Sequence, residues 1–288
     1  HPVGAGGQPM HDPIQRKGKQ PNHIDIYAAK LAYSHPLTHT AKVEAGLKSS
    51  YVHTDNNSNF FVMDHGNWIT DPGNTNHFVY KENVNAAYVN FSKTFKKGWS
   101  TQVGLRGEQT TTHTDQLTTD SLNKNSYFEL FPNLSLSKTL NPANTISLSY
   151  SRRIDRPSYE SLNPFIYYVD EYTYRVGNPY LKPMTAKQYE TSLEWYISPN
   201  QMLTGALVYK AVDGFVQSTS VNEPHVDQLG QTHDYNVTRL VNGENGVIKG
   251  AEAGYQTFFD FLPEPFDGLG MQVNYTYVYS KAPSPDAM

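Results

Sequence analysis

Three arginines and an aspartate crowd the run Tyr150-Ser151-Arg152-Arg153-Ile154-Asp155-Arg156. A guanidinium binds carboxylate or phosphate through two parallel hydrogen bonds, so Arg152, Arg153 and Arg156 could clamp an anionic ligand. The same residues with Asp155 also fit an ion network in a protein wall, or contact with lipid phosphate, and charge networks are the usual reason for such clusters. A second charged pair, Arg106 and Glu108, is two residues apart and so shares one side of an extended chain. It suits contact with a neighbouring strand or packed domain better than catalysis. Aromatic side chains crowd the next stretch, residues 154–183: Tyr159, Phe165, Tyr167, Tyr168, Tyr172, Tyr174 and Tyr180. Rings on an exposed loop can stack on sugars or on an aromatic ligand. They can also fold the loop on itself as a packed cap. Tyr167, Tyr168, Tyr172, Tyr174 and Arg175 are the candidate ligand contacts.

Other chemistry is sparse. His35 and His39 are four apart, but around a turn, where helical one-face spacing does not apply. His225 and Asp227 are close in sequence, yet no G-x-S-x-G elbow and no ordered Ser/His/Asp set accompanies them. Gly243, Gly246 and Gly250 lack the order and the following helix of a nucleotide loop. No metal site, cofactor or enzymatic activity is expected. The chain has no cysteine, which removes disulfides and thiolate metal sites. Its net charge of −4 gives no support to nucleic-acid binding.

The elements that must position these residues read as strands. Ile146, Leu148 and Tyr150 fall on one side and Ser147, Ser149 and Ser151 on the other, as successive strand residues do. Tyr189, Leu193 and Trp195 oppose Gln188, Glu190, Ser192 and Glu194 in the same way. Ten such strands are expected, near residues 23–34, 40–55, 77–95, 99–113, 127–140, 145–151, 184–197, 202–218, 235–262 and 269–280. The ninth has room for a bulge at one of its glycines. Short turns at 35–38, 96–98, 141–144, 198–201 and 263–268 alternate with longer polar connections at 56–76, 114–126, 154–183 and 219–234. No apolar run is long enough for a membrane helix. The mean hydropathy of −0.60 does not exclude a membrane barrel, whose strands keep one polar side. Long strands with short turns at one end and long loops at the other are the pattern of an outer-membrane barrel. Tyr33, Trp99, Trp195, Tyr209 and Tyr279 stand where interfacial aromatic girdles belong. The fold class is therefore all-β: a transmembrane, antiparallel, up-and-down β-barrel. Residues 1–22 read as an extracellular loop or linker, 23–280 as barrel, and 281–288 as the start of another extracellular loop. Neither end reads as natural, and a piece of a longer polypeptide is expected.

An ordered set of short motifs adds a family. Tyr150-Ser151-Arg152-Arg153-Ile154-Asp155-Arg156-Pro157, Leu162-Asn163-Pro164-Phe165 and Gly177-Asn178-Pro179-Tyr180-Leu181-Lys182-Pro183 resemble the TonB-dependent outer-membrane receptors. Phe131-Pro132-Asn133-Leu134 upstream, and Ser192-Leu193-Glu194-Trp195-Tyr196 and Asn274-Tyr275-Thr276-Tyr277 downstream, agree in order and spacing. Gly104-Leu105-Arg106-Gly107-Glu108 and Gly250-Ala251-Glu252 are similar to further barrel-strand signatures. The resemblance covers roughly residues 23–282. It implies a 22-stranded barrel plugged by a separate globular domain, of which this chain supplies about ten strands. It also implies capture of a scarce ligand, an iron-siderophore or a glycan, and its passage to the periplasm. The implied partners are TonB with its inner-membrane energising complex, outer-membrane lipid and lipopolysaccharide, and a small-molecule or oligosaccharide ligand. A passive porin, or an adhesive or carbohydrate-binding barrel, is the alternative.

Overall fold

The computed structural model describes residues 15–169, 173–226, 232–260, 262–266 and 268–283. Sixteen strands follow in order: β1 (Arg16–Lys19), β2 (Asn22–Thr38), β3 (Ala41–Asp64), β4 (Asn67–Thr70), β5 (Asn76–Thr94), β6 (Trp99–Gln116), β7 (Ser121–Asn141) and β8 (Asn144–Asp155). After one helical turn, α1 (Tyr159–Leu162), come β9 (Ile166–Tyr168), β10 (Thr173–Val176), β11 (Met184–Ser198), β12 (Gln201–Asp213), β13 (Val216–Val226), β14 (Thr232–Asn242), β15 (Gly246–Phe258) and β16 (Gly270–Lys281). Twelve strands form one antiparallel sheet. Its long members run β2-β3-β5-β6-β7-β8-β11-β12-β15-β16, an up-and-down meander. β9, β10, β13 and β14 form a separate four-stranded sheet in which β10 and β14 are parallel. Among the described residues β2 and β16 each have one long neighbour, so the wall has two open edges.

Alternation in the sequence becomes two chemically distinct faces. Leu31, Leu47, Val89, Leu105, Leu134, Leu148, Leu207 and Val273 lie on one, and many are widely exposed: 69% for Leu31 and 65% for Leu207. An apolar surface of this extent needs an apolar neighbour, and in a barrel wall that neighbour is lipid. The opposite face carries Arg106, Glu108, Asn133 and a hydroxyl pair, Ser137 to Ser147 at 2.8 Å. Strands 12 to 24 residues long exceed the ~9–11 needed to cross the bilayer, so β3 (24 residues) and β7 (21 residues) extend well beyond it. The short turns lie together at the opposite end from the long connections. One of them, Lys96–Gly98, holds both Lys97 and Gly98 at positive φ. A Cβ on Gly98 would lie 2.6 Å from the Thr139 carbonyl oxygen, which restricts that position to glycine. Beside it Lys138 sits over the Trp99 ring at 5.4 Å, an amphipathic pairing suited to the membrane edge.

Several expected loops are ordered strands. The stretch 1–22 includes β1, paired with the far end of β3. Most of 56–76 is the end of β3 and the hairpin to β4. The connection 114–126 shrinks to residues 117–120 between β6 and β7. The expected eighth strand divides into β12 and β13, and the ninth into β14 and β15. β12 pairs with β15 in the wall, while β13 and β14 pair with each other as a hairpin above it. These segments look loop-like in sequence because they stand clear of lipid, so neither face is required to be apolar.

The two faces make a direct prediction. Leu148→Arg or Val273→Arg should cost about 2–4 kcal/mol near the midplane, read as a lower folded fraction in bilayers. Ser147→Arg, on the polar face, should cost clearly less. Equal or reversed costs would overturn the face assignment.

Candidate functional site

The connection 156–183 between β8 and β11, described at 156–169 and 173–183, is structured and lies at the long-loop end. It begins with a cap: Ser158 Oγ accepts a hydrogen bond from Ser161 N at 3.2 Å and starts α1. Leu162 and Leu181 are then buried against Phe78 and Tyr80 of β5, with Tyr159, Val216 and Leu240 packed around them. Phe78 and Tyr80 are on the polar, lumen side of β5, so the loop folds inward over the mouth of the wall. Phe165 stacks on Phe60 of β3, ring centroids 6.5 Å apart. Burial raises the pKa of the Tyr159 phenol.

Asparagines tie the cap down. Asn76 of β5 donates to Asn163 Oδ1 at 3.3 Å, and Gln116 of β6 donates to Asn76. Asn123 of β7 donates to the Pro179 carbonyl at 2.7 Å. Asn178 donates to the Leu240 carbonyl at 3.0 Å, and its own Oδ1 accepts from Tyr180 N in a local Asx turn. Asn242 exchanges bonds with both backbone groups of Lys182, at 2.7 and 2.9 Å. A Cβ on Gly177 would run into the Asn163 carbonyl, so the two halves of the loop can only meet at a glycine. The motif residues 162–165 and 177–183 are thus the fasteners of this cap. The strand partners Phe78, Tyr80, Asn76, Asn123 and Asn242 went unread in the sequence; only their positions beyond the membrane-spanning length set them apart.

The charged candidates divide. Arg106 Nε donates to Glu108 Oε1 at 2.5 Å, and Arg156 Nη2 donates to Glu108 Oε2 at 2.6 Å. Arg156 also reaches Thr110 Oγ1 at 3.1 Å and the Tyr127 hydroxyl at 3.2 Å. Burial is the largest single influence and works against the Arg156 charge, but Glu108 and Tyr127 together outweigh it and the guanidinium pKa is raised. One carboxylate on β6 therefore joins Arg106 of the same strand to the first residue of the cap, and Tyr127 ties that residue to β7 as well. Arg152 is separate: it bonds Glu129 at 2.5 Å and the Leu130 carbonyl at 2.8 Å, with its guanidinium over the Phe131 ring. It bridges the point where the β7–β8 ladder ends at Asn133 and Ser151. Arg153 and Asp155 have no ion pair among the described residues and continue the β8–β11 ladder opposite Ala186 and Met184.

The aromatic candidates divide too. Tyr167 is 66% exposed, and Arg175 opposite it in the β9–β10 ladder is exposed as well. Tyr174 is buried, its ring 5.8 Å from Tyr235. Tyr168 contributes its backbone to β9, opposite Tyr174. Tyr172 and Asp227 lie outside the described residues; His225 is placed by its backbone in β13. His35 lies near the Tyr33 hydroxyl, 3.1 Å away, close to the short turn between β2 and β3. Among the described residues no group of three or more His, Cys, Asp or Glu could hold a metal.

A lipid-facing strand meander with short turns at one end and an inward-folded cap at the other defines an outer-membrane β-barrel wall. The chain belongs to the outer membrane protein beta-barrel family, whose pattern it matches over residues 5–257. No curated protein sequence matches it. Among solved structures it is similar to the unliganded ferric citrate transporter FecA, with 12% identity and a TM-score of 0.63 over 93% of this chain and 37% of that one. It is also similar to the copper transporter OprC, with 11% identity and a TM-score of 0.66 over 91% of this chain and 39% of that one. For the ferric yersiniabactin uptake receptor FyuA from Yersinia pestis the values are 13%, 0.59, 93% and 37%. The chain thus spans well under half of each of these proteins. The resemblance to TonB-dependent receptors holds at the level of the barrel, and the protein resides in the bacterial outer membrane.

The carboxylate bridge and the glycine junction can be broken separately. Arg156→Ala should remove about 1.5–3 kcal/mol of charged hydrogen bonding and speed proteolysis within 156–183, while the wall stays protected. Gly177→Ala should expose the same segment to protease through backbone collision. If cleavage in both variants matched the parent, the cap would not depend on these contacts.

Proposed function

We propose that this chain is part of the wall of a TonB-dependent receptor, which captures a scarce ligand at the cell surface and admits it to the periplasm. The observation that supports this best is the cap over the lumen side of the wall. It narrows the outer mouth, while Tyr167 and Arg175 remain exposed side by side on β9 and β10. A passive pore gains nothing from a fastened cap, whereas a receptor needs a rigid platform for ligand contacts. Ring stacking by Tyr167 and the charge of Arg175 suit a ligand that carries both flat rings and negative charge. An anionic ferric siderophore bearing aromatic groups would engage both the ring and the charge; FecA is named a ferric citrate transporter and FyuA a ferric yersiniabactin uptake receptor. A glycan ligand would use the rings and leave the arginine idle. The open edges at β2 and β16 would be closed by further strands of the same barrel, since unpaired backbone is not tolerated in hydrocarbon. Energy would come from TonB acting on a plug domain within the lumen.

The test is uptake by cells carrying the full-length gene or a deletion of it, supplied with ferric siderophores or oligosaccharides, with and without TonB. Uptake of a ferric siderophore should require both gene and TonB. Tyr167→Ala with Arg175→Ala should lower apparent ligand affinity by tenfold or more, at an estimated ~1–3 kcal/mol for lost hot-spot contacts, with unchanged receptor in the outer membrane. TonB-independent uptake would defeat the active-transport reading. TonB-dependent uptake of oligosaccharide alone would defeat the siderophore.

A further inference from the structure

Cap and wall do not close fully on each other. β1 lies on the β3 ladder with Gly18 opposite Phe60 and Arg16 opposite Val62. The Phe60 ring rests against Gly18, where a Cβ would come within 2.9 Å of it. Phe165 of the cap presents a second ring, 14° from parallel to the first, with the centroids 6.5 Å apart. The turn after β4 pins the Phe60 backbone. Asp71 N donates to the Phe60 carbonyl at 2.8 Å, and Phe60 N donates to Thr75 Oγ1 at 3.1 Å. Between β1, this turn and the start of β9 is a cleft of about 310 Å³, with Arg16, Gly18, Phe60, Phe165 and Tyr167 in its lining.

The charges around this cleft are not all satisfied. Arg16 is exposed and has no ion pair among the described residues. Arg175, opposite Tyr167 on the neighbouring strand, is likewise exposed and without an ion pair among them. The other two charged side chains in the lining are engaged. Lys17 sits over the Trp68 ring at 5.9 Å, and the buried Asp71 carboxylate accepts from Asn74 Nδ2 at 2.8 Å. What remains is a slot with one ring from the wall, one ring from the cap and an available guanidinium. A cavity of ~150 Å³ is enough for a single benzene ring. The cleft therefore suits an aryl group with its substituents, and not a whole ferric complex.

We propose, resting on the receptor reading above, that this cleft is a subsite for one arm of the ligand: an aromatic ring bearing an acidic oxygen, as in a benzoate or a phenolate. The ring packs against Phe60 and Phe165, and the acidic oxygens accept from the Arg16 guanidinium. Tyr167 and Arg175 are left for the rest of the ligand. The slot thereby selects among ferric ligands, because citrate and simple hydroxamates have no ring to place in it. One ring belongs to the wall and the other to the cap, so an occupied cleft also braces the cap against β3.

The test uses the full-length receptor in a neutral detergent, titrated with three probes. Salicylate has both ring and acid, cyclohexanecarboxylate has the acid without a flat ring, and benzyl alcohol has the ring without charge. Salicylate should bind most tightly and should slow proteolysis within 156–183. Arg16→Ala, at an exposed position with no ion pair to lose, should weaken salicylate by about tenfold and leave benzyl alcohol unchanged. Phe165→Leu should weaken both aromatic probes. No saturable binding of salicylate, equal affinity for cyclohexanecarboxylate, or an unchanged affinity in Arg16→Ala would overturn the proposal. The transport reading fails separately. TonB-independent uptake would defeat it while salicylate binding, and so the subsite, stands. Unimpaired TonB-dependent uptake of an aryl siderophore by Arg16→Ala with Phe165→Leu would defeat the subsite alone.

Discussion

Backbone pairing governs this molecule. In hydrocarbon no water can satisfy an N–H or C=O, so every residue that crosses must be bonded to a strand on each side. The uninterrupted ladders from Thr94 and Ser100 to Phe78 and Gln116 on β5 and β6, and from Trp99 and Lys138 to Gln116 and Ser121 on β6 and β7, answer that demand. Once ladders are fixed, side chains have no freedom but to alternate, and one side of each strand must be apolar. That is how a chain with a mean hydropathy of −0.60 presents an apolar exterior. Its polarity is placed on the lumen side and beyond the membrane. No helix among the described residues is long and apolar enough to cross a membrane, and the barrel needs none.

Freed of lipid, the strand ends obey a different rule. Above the apolar band β3, β5, β6 and β7 continue as ladder, and their lumen side becomes the bed for the cap. The bed holds the loop by burial of Leu162 and Leu181 and by side-chain amides: Asn123 donates to the Pro179 carbonyl and Asn76 to the Asn163 side chain. An irregular loop exposes backbone polar groups at every step, and the asparagines supply partners where no strand can. Glu108 makes wall and cap interdependent: its two oxygens serve Arg106 within the wall and Arg156 at the cap's first residue.

Legibility in the sequence follows the same division. Where lipid imposes alternation, as at Ile146-Ser147-Leu148-Ser149-Tyr150, both strand and face were readable, and the turns at 141–144 and 198–201 stand where expected. Where lipid is absent, the pattern fails as a guide. Val216–Val226 and Thr232–Asn242 carry polar residues on both sides; 219–234 reads as loop and the flanking residues as ends of wall strands, yet the two segments pair with each other along their whole length. Motif residues such as Asn163 and Asn178 were recognisable, but their partners are 87 and 62 residues away in sequence. Local pattern carries no signal for such contacts. The Arg106, Glu108 and Arg156 grouping was half visible: spacing joined the first two, and only the fold of the loop brings in the third.

Stagger explains why the aromatic band is scattered in sequence yet continuous in space. Register aligns Val43, Phe91, Val103, Leu134, Tyr150, Tyr189, Tyr209, Lys249 and Tyr279 in one outward row. Val43 is beside a short turn, whereas Lys249 and Tyr279 are at the far ends of their strands. The row therefore climbs through the membrane as the strands tilt. Tyr150, Tyr189 and Tyr209 pack in series along it, with centroids 5.0 and 6.2 Å apart, and Lys249 closes the series 6.0 Å above the Tyr209 ring. Each tyrosine lies at a different distance from its turn, so no fixed spacing in the chain announces the band. The same climb sets how high each strand lifts its charges. Lys81 and Lys124 clear the apolar band because their strands are long, while the shorter β8 has only its last residues at that level, where Arg152 bonds to the neighbouring β7. Tilt and strand length together decide which charges face lipid head groups and which bind the wall.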